Sequence, residues 1–246
     1  MGFARSASIS FAFGGLSLFA GSYVALSQTP AHPMTFFVTS VGVAGGANMG
    51  GIAGADAHCQ ALATAAGAGS HTWRAYLSVQ ERPGQPAINA RDRIGKGPWY
   101  NAKGVMIAKD VDDLHAMKSF ASGAALNEKG VLNPGRDAPQ DPDDKTWPYM
   151  QAHPESMRHE ILTGSTSEGR AFTDGRDHTC NNWTSEGKGN SANLRENTGP
   201  AVQVGMSDRN GGGNGSWNSA HSTTGCGQAD LRRTHGIGLY YCFAVN

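Results

Sequence analysis

Apolar positions along this chain come in short bursts, separated by long glycine- and asparagine-rich stretches, and the bursts differ in period. Phe36-Phe37-Val38-Thr39-Ser40-Val41 is rich in β-branched and aromatic residues and predicts a first strand, broken by the glycines at 45, 46, 50 and 51. From Gly54 to Ala66 the period changes. Ala55, Cys59, Leu62, Ala63 and Ala66 recur at three- and four-residue spacing, which predicts a helix stopped by Gly67 and Gly69. Cys59 lies on the stripe that faces the core. Strict alternation returns in Trp73-Arg74-Ala75-Tyr76-Leu77-Ser78-Val79, a predicted strand with Trp73, Ala75, Leu77 and Val79 on one face.

After Pro83 the pattern is mostly that of turns. Asp110 to Met117 predicts a short helix, and Asn133 to Asp144, with its prolines and aspartates, a solvated loop. Ile161-Leu162-Thr163 and Ala201-Val202-Gln203-Val204 predict short strands, the second inside a glycine- and asparagine-rich excursion from about 187 to 215. Gly238 to Val245 closes the chain as a strand by composition. No internal repeat stands out. Strands near both ends with one main helix between them imply an α+β sheet in which the two ends meet, which makes Cys59 to Cys242 an attractive bridge.

Ahead of this domain, Arg5 is the only charge before an apolar, small-residue run from Ile9 to about Leu26, followed by Ala25-Leu26-Ser27. Charged start, apolar middle and small-residue exit are the layout of a secretory signal peptide cleaved before Gln28; the alternative is an uncleaved membrane anchor. The expected organisation is a signal peptide over 1–27, a linker over 28–34 and one domain over 35–246. No second apolar run exists, so a mature chain without a membrane span is expected, in the periplasm or outside the cell.

Composition sharpens this reading. The 246 residues hold 34 glycines, about twice the usual share, and a hydrophobic fraction of 39%, which together predict a loop-rich fold with a modest core. Twenty basic side chains balance twenty acidic ones, so the chain offers no general attraction to nucleic acid or anionic membrane, and any basic patch has to be local. The four cysteines, Cys59, Cys180, Cys226 and Cys242, are an even number in an exported chain and form no C-x-x-C pair. They read as two disulfides, with three pairings open, rather than as a zinc site.

The order of landmarks resembles the C-type lectin-like domain. A helix carries the first cysteine and the terminal strand the last, and Trp217-Asn218-Ser219-Ala220-His221 stands ahead of Cys226. Within that superfamily the chain is similar to the endostatin family. The matching pieces are Cys59-Gln60-Ala61-Leu62 with Thr72 to Ser78, Lys145-Thr146-Trp147-Pro148, Thr163-Gly164-Ser165 with Gly169-Arg170, Cys180-Asn181-Asn182-Trp183-Thr184, and Tyr240-Tyr241-Cys242. It also resembles bacterial secreted proteins usually labelled lectins, through Ala90-Arg91-Asp92-Arg93-Ile94-Gly95 and Gly97 to Gly104. The resemblance covers residues 35 to 246 in patches. It implies short antiparallel sheets, long loops and two nested disulfides, first cysteine to fourth and second to third. It also implies a binding module, not an enzyme, whose partner is carbohydrate or, on the same loops, a protein or envelope polymer.

Calcium-dependent members of that superfamily hold the ion with an acid-Pro-acid or amide tripeptide and a Trp-Asn-Asp strand. Here the loop reads Ser165-Thr166-Ser167-Glu168-Gly169, without proline, and the strand Trp217-Asn218-Ser219, without the second acid. Glu168, Asp174, Asp177 and Asn218 remain candidate oxygen ligands for calcium. A sugar could instead stack on Trp99 or Tyr100, and sulfated glycans could meet Arg91, Arg93 and Lys96, or Arg232 and Arg233. Catalytic motifs are weak. There is no Gly-x-Ser-x-Gly elbow, and Thr163 stands where His159-Glu160 would need a second histidine for H-E-x-x-H. Gly211 to Gly215 lacks the lysine of a P-loop, and Asp141-Pro142-Asp143-Asp144 lacks the glycine and glutamate of an EF-hand. His153, His159, His178, His221 and His235 are scattered, leaving a metal-dependent hydrolase as the weakest alternative.

Overall fold

A computed structural model describes residues 1–2, 32–135, 158–208 and 215–246. The fold is mixed α+β, with few helices, small sheets and two disulfides. In chain order the elements are β1 (Phe36–Val38), α1 (Gly51–Ala65), β2 (Trp73–Ala75), a 3-10 turn (Ala90–Asp92), β3 (Trp99–Tyr100), β4 (Met106–Ala108) and α2 (Val111–Ala116). They continue with β5 (Glu160–Leu162), a single helical turn α3 (Cys180–Trp183), β6 (Gln203–Met206), β7 (His221–Ser222), α4 (Gln228–Arg233) and β8 (Gly236–Ala244). No helix of the described residues is long and apolar enough to cross a membrane.

β8 organises the molecule. The main sheet runs β1-β8-β5-β6-β7, and β2 also pairs with β8. β1 and β2 pair with it antiparallel, so the two ends of the domain do meet, with Phe37 opposite Cys242. β5, however, runs parallel to β8. The expectation of short antiparallel sheets therefore holds for every strand pair but this one, and the reason is visible in the sequence. Gly-Ile-Gly-Leu-Tyr-Tyr-Cys-Phe-Ala is apolar on both faces, as a strand covered on both sides must be, and such a strand carries no alternation that fixes a partner's direction.

Helix α1 packs on β2 through Ala55, Cys59 and Ala63, small residues at four-residue spacing that let the backbones approach closely. It begins three residues earlier than its periodicity suggests. Met49 folds back over the first turn so tightly that a methyl group on Gly54 would meet the Met49 carbonyl oxygen at 1.8 Å, so only glycine fits there. Helix α2 follows its sequence signal. Asp110 caps it by accepting from the Asp113 amide at 2.8 Å, and the Asp113 carboxylate accepts from the Lys109 amide at 3.0 Å.

The two disulfides are Cys59–Cys242 and Cys180–Cys226, each with Cα atoms 5.7 Å apart, and one loop lies inside the other. The inner pair is anchored in an unusual element. All four residues of α3 have positive φ, from 48° at Cys180 to 69° at Trp183, so the turn is left-handed. Buried polar contacts hold it there. The Asn182 amide donates to the Gln80 carbonyl at 2.9 Å, its carbonyl accepts from the Gln80 amide at 2.9 Å, and Trp183 Nε1 donates to the Ser78 carbonyl at 2.8 Å.

Several strand boundaries differ from expectation for the same kind of reason. β1 stops at Val38 because Ser40 turns its amide and hydroxyl to the buried Glu128 carboxylate. β2 stops at Ala75, where Leu77 donates back to the Ala75 carbonyl, and Tyr76 is buried as fully as its neighbours. The predicted strand at 201–204 is shifted to 203–206. The solvated loop expected over 133–144 and the Trp147 and Asp141–Asp144 segments lie largely or wholly outside the described residues.

An internal repeat is present after all. Asn101-Ala102-Lys103-Gly104-Val105 and Asn127-Glu128-Lys129-Gly130-Val131 close the same turn twice. In each, the Asn Oδ1 accepts from the Lys and Val amides at 3.0 and 3.1 Å, and the glycine sits at φ 74°. A five-residue segment that differs only at Ala102 and Glu128 is too short a repeat to register until the hydrogen bonds are seen.

Candidate functional site

Tyr76, displaced from the alternation of β2, points its hydroxyl into a buried polar chain. Its oxygen lies 2.8 Å from His115 Nε2, at the end of α2, and accepts from Asn218 Nδ2 at 2.9 Å. The proton positions follow from the partners. His115 Nδ1 is 2.7 Å from the Val111 carbonyl, which can only accept, so Nδ1 carries the ring proton. Nε2 is then the acceptor, and Tyr76 donates to it. Ser216 Oγ donates to Asn218 Oδ1 at 3.0 Å, completing a directed run from Ser216 through Asn218, Tyr76 and His115 to Val111. Burial holds the His115 pKa below its ordinary value and pushes the Tyr76 hydroxyl well above its own, so both groups are neutral near pH 7.

Asn218 does more than extend this run. Its amide also donates to the Thr166 and Ser167 carbonyls at 3.3 and 3.0 Å, pinning the loop 165–169 to the core. Gly169 makes that approach feasible. At φ 75°, a methyl group there would lie 2.3 Å from His115 Nε2 and 2.6 Å from the Tyr76 oxygen. Arg91 supports the loop from the other side, donating to the Glu168 carbonyl at 2.9 Å and pairing with Asp112 at 3.0 Å. Beneath, Trp217 packs against Tyr76, His115, Phe120 and Tyr241 in tilted and edge-on contacts, at ring separations of 4.8 to 5.7 Å.

Over this floor opens a mainly polar pocket of about 480 Å³, lined by His115 to Lys118, Ser167, Glu168, Ser216, Asn218 and Ser219. Glu168 is exposed at its rim, and the hydrogen bond from the Ser167 hydroxyl at 2.6 Å holds its carboxyl below the usual range, so it is charged near neutrality. The pocket therefore offers one carboxylate, one lysine and several hydroxyls on a fixed frame.

The structure brings together two of the four calcium candidates, Glu168 and Asn218, and places the other two elsewhere. Asp174 pairs with His178 at 3.0 Å. Asp177 accepts from the Thr179 and Asn181 amides at 3.1 and 2.8 Å and faces Arg82 at 3.4 Å, beside a separate cavity of about 290 Å³. Among the described residues no group of three or more histidines, cysteines or acids is placed to hold a metal. The four candidates do not converge: Asn218 packs a loop, and Asp177 orders the left-handed turn.

The expected glycan contacts also change. Trp99 is 1% exposed and donates to the Ala244 carbonyl at 3.2 Å, so it is a core residue and no stacking platform. Tyr100 is half-buried with His32 stacked on it at 4.1 Å. Arg93 is enclosed, bonded to the Ala75 carbonyl and to Asp56 at 2.7 Å. Arg91 reaches the pocket only as a support. Arg233 pairs with Asp230 at 3.0 Å, across one helical turn. Tyr76, His115, Ser167 and Ser216 went unrecognised in the sequence; the sole signal was a tyrosine set on the polar side of an otherwise alternating strand. No protein-family model and no curated protein sequence matches the chain.

Proposed function

We propose that this chain is a C-type lectin-like, endostatin-like binding module, exported from the cytoplasm, that takes carbohydrate in the pocket above Tyr76, His115 and Asn218. The nested disulfides, the pairing of the two end strands and the position of Trp217-Asn218 support the architecture. The observation that carries the function is the pinned loop. Asn218 fixes 165–169 so that Ser167 and Glu168 face Ser216 and Ser219 across an open polar pocket. A few fixed polar groups on a rigid frame suit a polyhydroxyl ligand, because their ordering cost is already met before binding.

The test is a glycan array probed with the chain and with Glu168→Ala, each with and without EDTA. Binding that survives EDTA and weakens about tenfold in the variant, the loss of a charge-assisted hydrogen bond, is the expected result. Binding abolished by EDTA would restore a calcium-dependent mode. Silence across the array would overturn the carbohydrate reading, and capture of a defined protein, indifferent to free sugars, would replace it.

A further inference from the structure

The twin turns present a surface that the pocket does not use. In both, the asparagine is buried while the lysine and valine are exposed, and the turns abut: a methyl group on Gly130 would rest 3.7 Å from Ala102 Cβ. Val105, Met106 and Val131 are 54%, 55% and 58% exposed, three of the few large apolar side chains that the described residues leave in water. Lys103 and Lys129 stand beside them at equivalent positions. Charge at this face is one-sided. Glu128, the acid within the second turn, is turned inward onto Ser40, and its carboxylate is 4.0 Å from Lys129; Lys103 has no ion pair among the described residues.

The chain enters the domain at the same face. His32 stacks on Tyr100, the strand residue opposite Met106, and His32, Pro33 and Met34 line a cleft of about 530 Å³ with Ala102 and Glu128. The apolar run Ile9–Leu26 ends six residues upstream of His32, a reach of at most about 20 Å even when fully extended. While that run is attached to the domain, any lipid surface that holds it therefore lies within reach of these two turns. Exposed aliphatic side chains with lysines in the same turns are what a peripheral contact with anionic lipid requires: apolar tips to enter the headgroup layer and cations to meet its phosphates.

We propose that the paired turns 101–105 and 127–131 form a docking face for an anionic lipid surface. A reporter placed on the face itself separates this contact from any anchoring by the N-terminal run. In the full chain, Val131→Trp is compared with Ile88→Trp, an exposed aliphatic position outside the twin turns, on vesicles of equal parts phosphatidylglycerol and phosphatidylcholine with brominated acyl chains.

The expected result is quenching of Val131→Trp by about two-fold relative to Ile88→Trp, as for a side chain entering the acyl boundary. It is expected to be lost on phosphatidylcholine alone and when Lys103→Glu and Lys129→Glu are added. Both lysine side chains are exposed, so unchanged thermal melting checks that these variants fold. Equal quenching at the two reporters, or quenching indifferent to the lysine reversals, overturns the proposal. A blue shift of Val131→Trp with a soluble sulfated polymer but not with vesicles also overturns it, and assigns the lysines to a polyanion instead.

Discussion

Asn218 shows how much one side chain can be asked to do in a loop-rich fold. It is 1% exposed, donates to Tyr76, Thr166 and Ser167, and accepts from Ser216. Asn218→Asp keeps its shape but sets a carboxylate against three oxygen atoms that now receive hydrogen bonds. A loss of about 3 kcal/mol is expected, since buried acceptors are left unmet and a charge is buried, and urea unfolding measures it. His115 and His221 should show opposite pH dependence. Burial lowers the His115 pKa, so its contribution to stability is present above its ordinary value of 6.5 and is lost as the pH falls. Burial alone would lower His221 too, but the Glu160 carboxylate at 3.1 Å outweighs it and raises the value. Its contribution is complete below 6.5 and is lost as the pH rises through the raised value. His115→Gln should flatten the acidic flank of a pH–stability curve, and His221→Gln the alkaline flank. Of these residues, Glu168 and Asn218 could be picked out from sequence because their neighbours fall in a recognisable order. Tyr76 and His115 could not, because their partnership spans 39 positions and depends on where strand β2 stops.

At the scale of the element, the left-handed turn α3 is the sharpest departure from what propensity dictates. Left-handed backbone costs an ordinary residue about 1–2 kcal/mol, and asparagine and glycine least. Asn181 is exposed at φ 54°, with a single side-chain donation to Thr184. Asn181→Gly should therefore be close to neutral, whereas Asn181→Val should be less stable than the glycine variant by about 1–2 kcal/mol, read from paired denaturation midpoints. The Asn-Asn pair was a legible hint of unusual backbone, though nothing local specified four consecutive residues of that hand. Helices α1 and α2 were readable because periodicity and capping are local. The direction of β5 was not, because β8 is apolar on both faces and admits a neighbour of either sense.

For the molecule as a whole, the cysteines were the most informative letters, and the structure forms the two links as one loop inside another. The sequence separations, 183 and 46 residues, make the outer link the larger constraint on the unfolded chain. Loop-closure entropy gives about 5 kcal/mol for the outer and about 4 kcal/mol for the inner. Replacing Cys59 and Cys242 with alanine should lower the urea midpoint more than replacing Cys180 and Cys226. An equal or reversed order would show that strain or residual structure, not loop length, decides. Sequence could also place the two end strands side by side. It could not show that the frame of the pocket is built around a tyrosine and a histidine from opposite flanks of the 3-10 turn, since that depends on the path of the loops between them.

The role of β8 has a consequence for biogenesis. Among the described strands, β1 and β2 pair with no strand other than β8, and the outer cystine also needs a residue within it. A nascent chain on the ribosome can therefore form its early helix, but has nothing to close its sheet on until residues 236–244 emerge. Such a polypeptide remains topologically open while residues 36–235 are made, and reaches its native topology only once β8 has joined them.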